Sequence, residues 1–304
     1  MAGRVSLFGR ARYFLRRFIV HGRVRVTLQY LFAKFQALFI QPTILPYFIT
    51  FFPYRRTSYA YMIPKLTRPK DAVRSSLPTP PENLWLGYGR TIEEWQESGQ
   101  KHVAKMRRLL ADSGYQFEQG HRVLEMGCAA GRMLRCLEDV TDECEIWGTD
   151  ISGEHIVWCK QNLSPPFHFF ITTTTPHLPF ADGYFDVIYA GSVFTHIDDL
   201  ADTWLLELRR LLKPGGRLYI TIHDNDTIRI LSEQRNLDLS KTLFCRQDFF
   251  ENNDYGMFTI GRFMRSQVFF DKDYLTRTLN PFFEVCSVTP EAYGFQTGYL
   301  LRRR

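Results

Sequence analysis

The chain has 304 residues, 45% hydrophobic and 23% charged, ordinary for a globular protein with room for one large α/β domain and an appendage. Its six cysteines form no C-x-x-C pair and its eight histidines no H-E-x-x-H spacing. That argues against a metal site and for reduced thiols in a cytoplasmic protein. The net charge of +6 hides an asymmetry, because thirteen basic residues and no acidic one precede Asp71. Such opposition within one chain points to a leader that meets an anionic surface.

Residues 1–70 form that basic, aromatic-rich extension. Its apolar stretch, residues 27–52, is interrupted by Lys34, Pro42 and Pro46, so no run of about 18–20 apolar residues exists to span a bilayer. No A-x-A-like site follows the basic start, which argues against a secretory signal. The segment Tyr13–Val20 with its flanking arginines fits a helix lying in a lipid headgroup layer, peripheral to the inner membrane face. The same residues also fit packing against the rest of the chain or a partner. Nucleic acid is not an expected partner, because no recognition module accompanies the charge.

Residues 71–120 read as a linker and cap helix. Pro78–Pro81 punctuates the linker, and Thr91 to Glu94 is a capping box opening a helix through about Ser113, with Gly114 as its stop. Strands are then expected near 121–126, 144–149, 167–172, 184–190 and 216–222. Helices are expected near 131–139, 152–163, 197–213 and 271–279, and two final strands near 282–289 and 294–302. Alternating strands and helices imply a parallel sheet wound on both faces, with ligands beyond the carboxyl ends of the strands.

The segment Val123 to Arg132 carries most of the functional signal. A buried strand runs into Glu125-x-Gly127-x-Ala129-x-Gly131, a turn where missing Cβ atoms let backbone approach a ligand, and then a helical pattern begins. The spacing differs from the G-x-G-x-x-G dinucleotide fingerprint. The second strand ends at Asp150, placed to accept hydrogen bonds from both hydroxyls of a ribose or to cap the helix near Ser152.

The E-x-G-x-A-x-G run resembles motif I of the class I S-adenosylmethionine-dependent methyltransferases. So do Leu178-Pro179-Phe180 followed by Phe185-Asp186-Val187-Ile188, the Leu212-Lys213-Pro214-Gly215-Gly216 turn, and the closing strands at Phe283–Val288 and Gly298–Leu301. The resemblance covers residues 121–302. It implies a Rossmann-like, doubly wound, seven-stranded sheet with an antiparallel last strand over residues 121–304, and S-adenosyl-L-methionine as cofactor.

Residue by residue, the resemblance implies that Glu125 holds the methionine amino end and that Gly127, Ala129 and Gly131 give backbone access. Asp150, with Ile151 beside it, would hold the ribose. Thr174 stands where the family has an acid for the adenine amino group, and Ala129 where it has a glycine. Ser192 lies in the loop beside the methionine part, and His196 and His223 are the candidate bases. A long insertion, residues 224–268, carries Asn225, Phe244, Phe249, Phe250, Asn252, Asn253, Tyr255 and Phe258. With Trp85–Gly89 it reads as a cover over an acceptor site, or as a solvent loop whose aromatics pack locally. The expected function is methyl transfer to an oxygen or nitrogen atom of a small or lipid- or glycan-linked acceptor. The alternative is a non-catalytic scaffold or sensor that binds the same cofactor.

Overall fold

The computed structural model describes residues 77–233, 254–261 and 266–304. The whole 1–70 extension, the 71–76 linker start and, within the insertion, Phe244, Phe249, Phe250, Asn252 and Asn253 lie outside the described residues.

Helix α1 (Ile92–Asp112) starts where the sequence says it should. The Thr91 side chain accepts from Glu94 N at 3.3 Å, while the Glu94 carboxylate reaches past Thr91 to accept from Arg90 N at 2.7 Å. Gly114 ends the turn at φ +77°. Strands β1 (Arg122–Met126), β2 (Glu145–Asp150), β3 (His168–Ile171), β4 (Phe185–Ala190) and β5 (Leu212–Ile222) follow, with helices α2 (Gly153–Asn162) and α3 (Ala201–Leu211) between them. Helix α4 (Asn225–Glu233), strands β6 (Met257–Ile260) and β7 (Gln267–Phe270), helix α5 (Lys272–Leu279) and strands β8 (Phe283–Tyr293) and β9 (Gln296–Arg303) complete the described chain.

Among the described residues, the main sheet has seven strands in the order β3-β2-β1-β4-β5-β9-β8. The pairings from β3 to β5 are parallel, and β9 runs antiparallel to both β5 and β8. This is the doubly wound sheet with an antiparallel last strand that the motifs imply. Strand alternation feeds two cores. Leu124, Ile188, Leu218 and Ile220 turn to a face covered by Trp204 and Leu208 of α3 and Leu275 of α5. Val123, Val187, Tyr189 and Tyr219 turn to the face covered by Val103 and Met106 of α1 and Ile156 of α2.

Three elements depart from the sequence expectation. Instead of a helix over 131–139, the chain turns through 133 and forms a 3-10 segment, Leu134–Val140, broken by a non-helical Leu137. Helix α3 begins at Ala201 and not near 197, because Asp198 accepts from its neighbour Asp199 N and from Ser266 Oγ, which holds the loop open. The described parts of the insertion carry regular structure. These are α4 and the separate antiparallel hairpin β6–β7, which docks through Val268 N to Thr195 O and Phe270 N to His223 O, both 2.9 Å.

The family motifs outside the loop are held by ion pairs. Asp186 of the F-D-V-I strand accepts from Lys213 Nζ at 2.7 Å and from Arg122 N at 2.9 Å, so it joins β1, β4 and the turn into β5. Arg210 bonds Glu207 and donates to the carbonyls of Leu178 and Phe180, which fixes the L-P-F segment on α3.

Candidate active site

In an open parallel sheet the ligand crevice lies where strand order reverses, here between β1 and β4. The loops after those strands touch: a Cβ on Gly127 would lie 2.4 Å from Val193 Cγ2. Gly127 and Gly131 take φ of +77° and +74°. Ala129 between them takes φ +45°, a left-handed conformation that a side chain makes strained and a glycine would not.

The loop is stapled to β2. Gly127 N and Cys128 N both donate to Thr149 O, and Ala129 N donates to Asp150 Oδ2 at 2.8 Å. The other Asp150 oxygen accepts from Ser152 N, also at 2.8 Å. Asp150 therefore joins the glycine loop to the start of α2, where Ser152 is the capping residue. Asp150 thus steadies the start of α2 from the carboxyl end of β2. Ile151 next to it is half-buried.

Glu125 is buried in the middle of the site, accepting from Tyr189 Oη at 3.0 Å. Burial lifts its carboxyl pKa to about 8, against opposing pulls from the Tyr189 hydroxyl and the nearby Arg132 charge. A glycine loop in left-handed conformation, a buried carboxyl below it and a second carboxylate at the next strand end fit a nucleoside bearing an amino group.

Thr174 lies on the exposed run after β3, where Thr175 N donates to Thr173 Oγ1. Thr172, two residues earlier, is the buried threonine of the run. Ser192 follows Gly191 at φ +58°. Its N–H donates to Thr221 Oγ1 at 2.6 Å, Thr221 Oγ1 donates to Gln296 Oε1, and Gln296 Nε2 donates back to Ser192 Oγ at 2.8 Å. This closed polar ring holds a strained loop residue in place.

His196 keeps an exposed edge while Nδ1–H donates to Ser266 O at 2.8 Å, which leaves Nε2 as the acceptor. Surrounding protein lowers its pKa below the usual value, partly opposed by that hydrogen bond. His223 does not share the opening expected for it. It is 2% exposed, lies between the rings of Phe269 and Phe295, and burial drives its pKa down to about 3. The neighbouring Asp224 is committed to structure, since Oδ1 accepts from Asp226 N, Thr227 N and Thr297 Oγ1.

Trp85–Gly89 packs beside the glycine loop. Trp85 packs on Trp95 of α1, and Tyr88 lies edge-on to Tyr293 with the Arg132 guanidinium 3.9 Å from its own ring centre. The β6–β7 hairpin meets the His196 loop through Val268 N to Thr195 O and His196 Nδ1 to Ser266 O. Sequence reading gave no site role to Arg132, His102, Tyr293 or Gln296 and took Tyr88 only as part of a cover. They come from elements far apart in sequence, and only Arg132 adjoins a motif.

Residues 124–220 match the protein family described as "Methyltransferase domain". A methyltransferase of Streptomyces halstedii, GfsG, is 29% identical over 147 residues, covering 46% of this chain and 50% of that protein. A sterol 24-C-methyltransferase of Schizosaccharomyces pombe is 33% identical over 102 residues, covering 32% of this chain and 26% of that one. The chain thus spans half or less of the length of these relatives. A solved S-adenosylmethionine-dependent methyltransferase from Aquifex aeolicus aligns with TM-score 0.46 and 15% identity, over 68% of this chain and 93% of that one.

Proposed function

We propose that this chain, whose residues 124–220 match a methyltransferase domain, is a class I S-adenosylmethionine-dependent methyltransferase that transfers the cofactor's methyl group to an oxygen or nitrogen atom of a small or lipid- or glycan-linked acceptor. The observation that carries this reading is the pair of carboxyls, buried Glu125 and strand-end Asp150, on either side of the left-handed Gly127–Gly131 loop.

When bound, the cofactor supplies an activated methyl, so the protein's part is alignment and exclusion of water. Glu125 receives the amino end and Asp150 the ribose hydroxyls. Ser192, fixed by Thr221 and Gln296, sets the wall nearest the reacting centre. His196, whose Nδ1 is committed to the Ser266 carbonyl, presents Nε2 to take the proton an attacking hydroxyl or amine must lose. The sealed position of His223 suits packing and not proton transfer. The basic, apolar 1–70 extension favours a membrane-borne acceptor, a view supported by the relative named for a sterol substrate. That relative's carbon target makes carbon the atom to test beside oxygen and nitrogen.

A thermal-shift comparison tests the cofactor: S-adenosylhomocysteine at a hundred times its Kd should stabilise the fold by about 2.7 kcal/mol, and NAD should not. Stabilisation by NAD alone would overturn the reading. With labelled cofactor and separated lipid and aqueous extracts, label should appear in the lipid phase. His196→Ala should lose transfer while keeping the thermal shift; full transfer by that variant removes His196 from the chemistry. Cofactor binding without transfer to any fraction would favour a scaffold or sensor.

A further inference from the structure

Arg132 is a buried cation without an anion. It is 5% exposed, and its guanidinium is met by Tyr293 Oη, Ser98 Oγ at 3.2 Å and His102 Nδ1 at 3.1 Å, all neutral acceptors. None of the ion pairs among the described residues includes it. Burying an unpaired charge is costly, so a protein that invests three elements in holding one there is shaped around something negative.

The holding is elaborate. The ring of Tyr88 stacks under the guanidinium, Tyr293 flanks it, and His102 stacks on Tyr293 with ring centres 3.8 Å apart. His102 must be neutral for Nδ1 to accept from Arg132, and burial with the Arg132 charge keeps its pKa near about 3. The surrounding histidine therefore adds no second charge.

The location completes the case. Arg132 directly follows Gly131 of the ligand loop. Its clamp, Tyr293, also borders the loop after β4, because a Cβ on Gly191 would lie 2.8 Å from the Tyr293 ring. Arg132 is close enough to Glu125 for its charge to oppose the rise in that carboxyl's pKa. A buried acid and a buried guanidinium without a carboxylate partner therefore flank one glycine loop.

We propose that Arg132, aimed by Tyr88, Ser98, His102 and Tyr293, binds the terminal carboxylate of the cofactor's amino-acid moiety and makes this chain selective for ligands that carry it. The proposal rests on the reading that the crevice takes S-adenosylmethionine, and deepens it by naming a specificity residue outside the motif positions. A guanidinium fork suits a carboxylate, bonding both oxygens in one plane.

Three ligands separate the contributions by equilibrium binding: S-adenosylhomocysteine, its decarboxylated analogue, and 5′-methylthioadenosine, which lacks the whole amino-acid end. The wild-type chain should prefer S-adenosylhomocysteine over the decarboxylated analogue by at least about tenfold. Arg132→Gln should erase that preference, weakening S-adenosylhomocysteine about 10- to 100-fold with 5′-methylthioadenosine unchanged, and Arg132→Lys should restore part of it. Equal wild-type affinity for the carboxylated and decarboxylated ligands would overturn the proposal without any variant. So would an Arg132→Gln protein that loses all three ligands alike, since that reports collapse of the site and not loss of one contact. A wild-type chain that binds none of the three sinks the cofactor reading itself, and this inference with it.

Discussion

Glu125 shows how burial stores sensitivity in a single residue. Its folded pKa of about 8 stands above the ordinary 4.5, so the folded chain holds a proton that the unfolded chain has released across that window. Stability is therefore undiminished below about pH 4.5, falls as pH rises toward 8 and is flat beyond. Glu125→Gln removes the titration, and its melting temperature should match wild type near pH 4 and exceed it progressively up to pH 8, where the stability difference reaches about 5 kcal/mol. Melting curves across pH 4–9 check this; parallel curves for the two proteins would show that the carboxyl is not strained by its site. The sequence named Glu125 from its spacing to Gly127. It could not give the pKa, because desolvation depends on Tyr189 and the covering elements.

At the scale of elements, helix α1 illustrates what a capping signal leaves unsaid. Thr91 and Glu94 announce the start and Gly114 the end, and both were legible. The internal Gly99 reads in sequence as a weak point, since alanine would raise helix propensity by about 1 kcal/mol. In the structure Gly99 is a contact: a Cβ there would lie 2.4 Å from the Arg132 carbonyl oxygen. Gly99→Ala should thus destabilise by about 1–3 kcal/mol, against its propensity, and weaken S-adenosylhomocysteine binding by shifting Arg132. Denaturant unfolding with ligand titration tests it, and a stabilised variant would mean that α1 packs less tightly than the geometry states. The β6–β7 hairpin was hidden for a related reason. Its pairing is settled by docking onto Thr195 and His223, which no local period records.

For the whole molecule, charge is the long-range property. The leader carries thirteen basic residues and the remainder is net acidic, so the two parts present opposite fields. No helix among the described residues is long and apolar enough to cross a membrane. If the extension engages anionic lipid, the full chain should co-sediment with phosphatidylserine vesicles at 50 mM salt and be released at 500 mM, whereas a 71–304 chain should stay in the supernatant. Equal behaviour of both chains would return residues 1–70 to a packing role.

Taken alone, the order of residues determined the sheet, the cofactor loop and the approximate ends of most elements. Those depend on alternation, on glycine where φ must be positive, and on caps a few residues apart. The tertiary structure alone decided which charged groups are buried, and with what. Arg132 reads in sequence as one more solvated arginine after Gly131. It becomes an unpaired cation because Tyr88, His102 and Tyr293 converge on it from a turn, a helix and the final hairpin. His196 and His223, alike in the chain, are parted the same way: one keeps an open edge and a free Nε2, and the other is sealed between two phenylalanines. Burial and convergence are sums over the whole packed molecule, and no short stretch of sequence contains them.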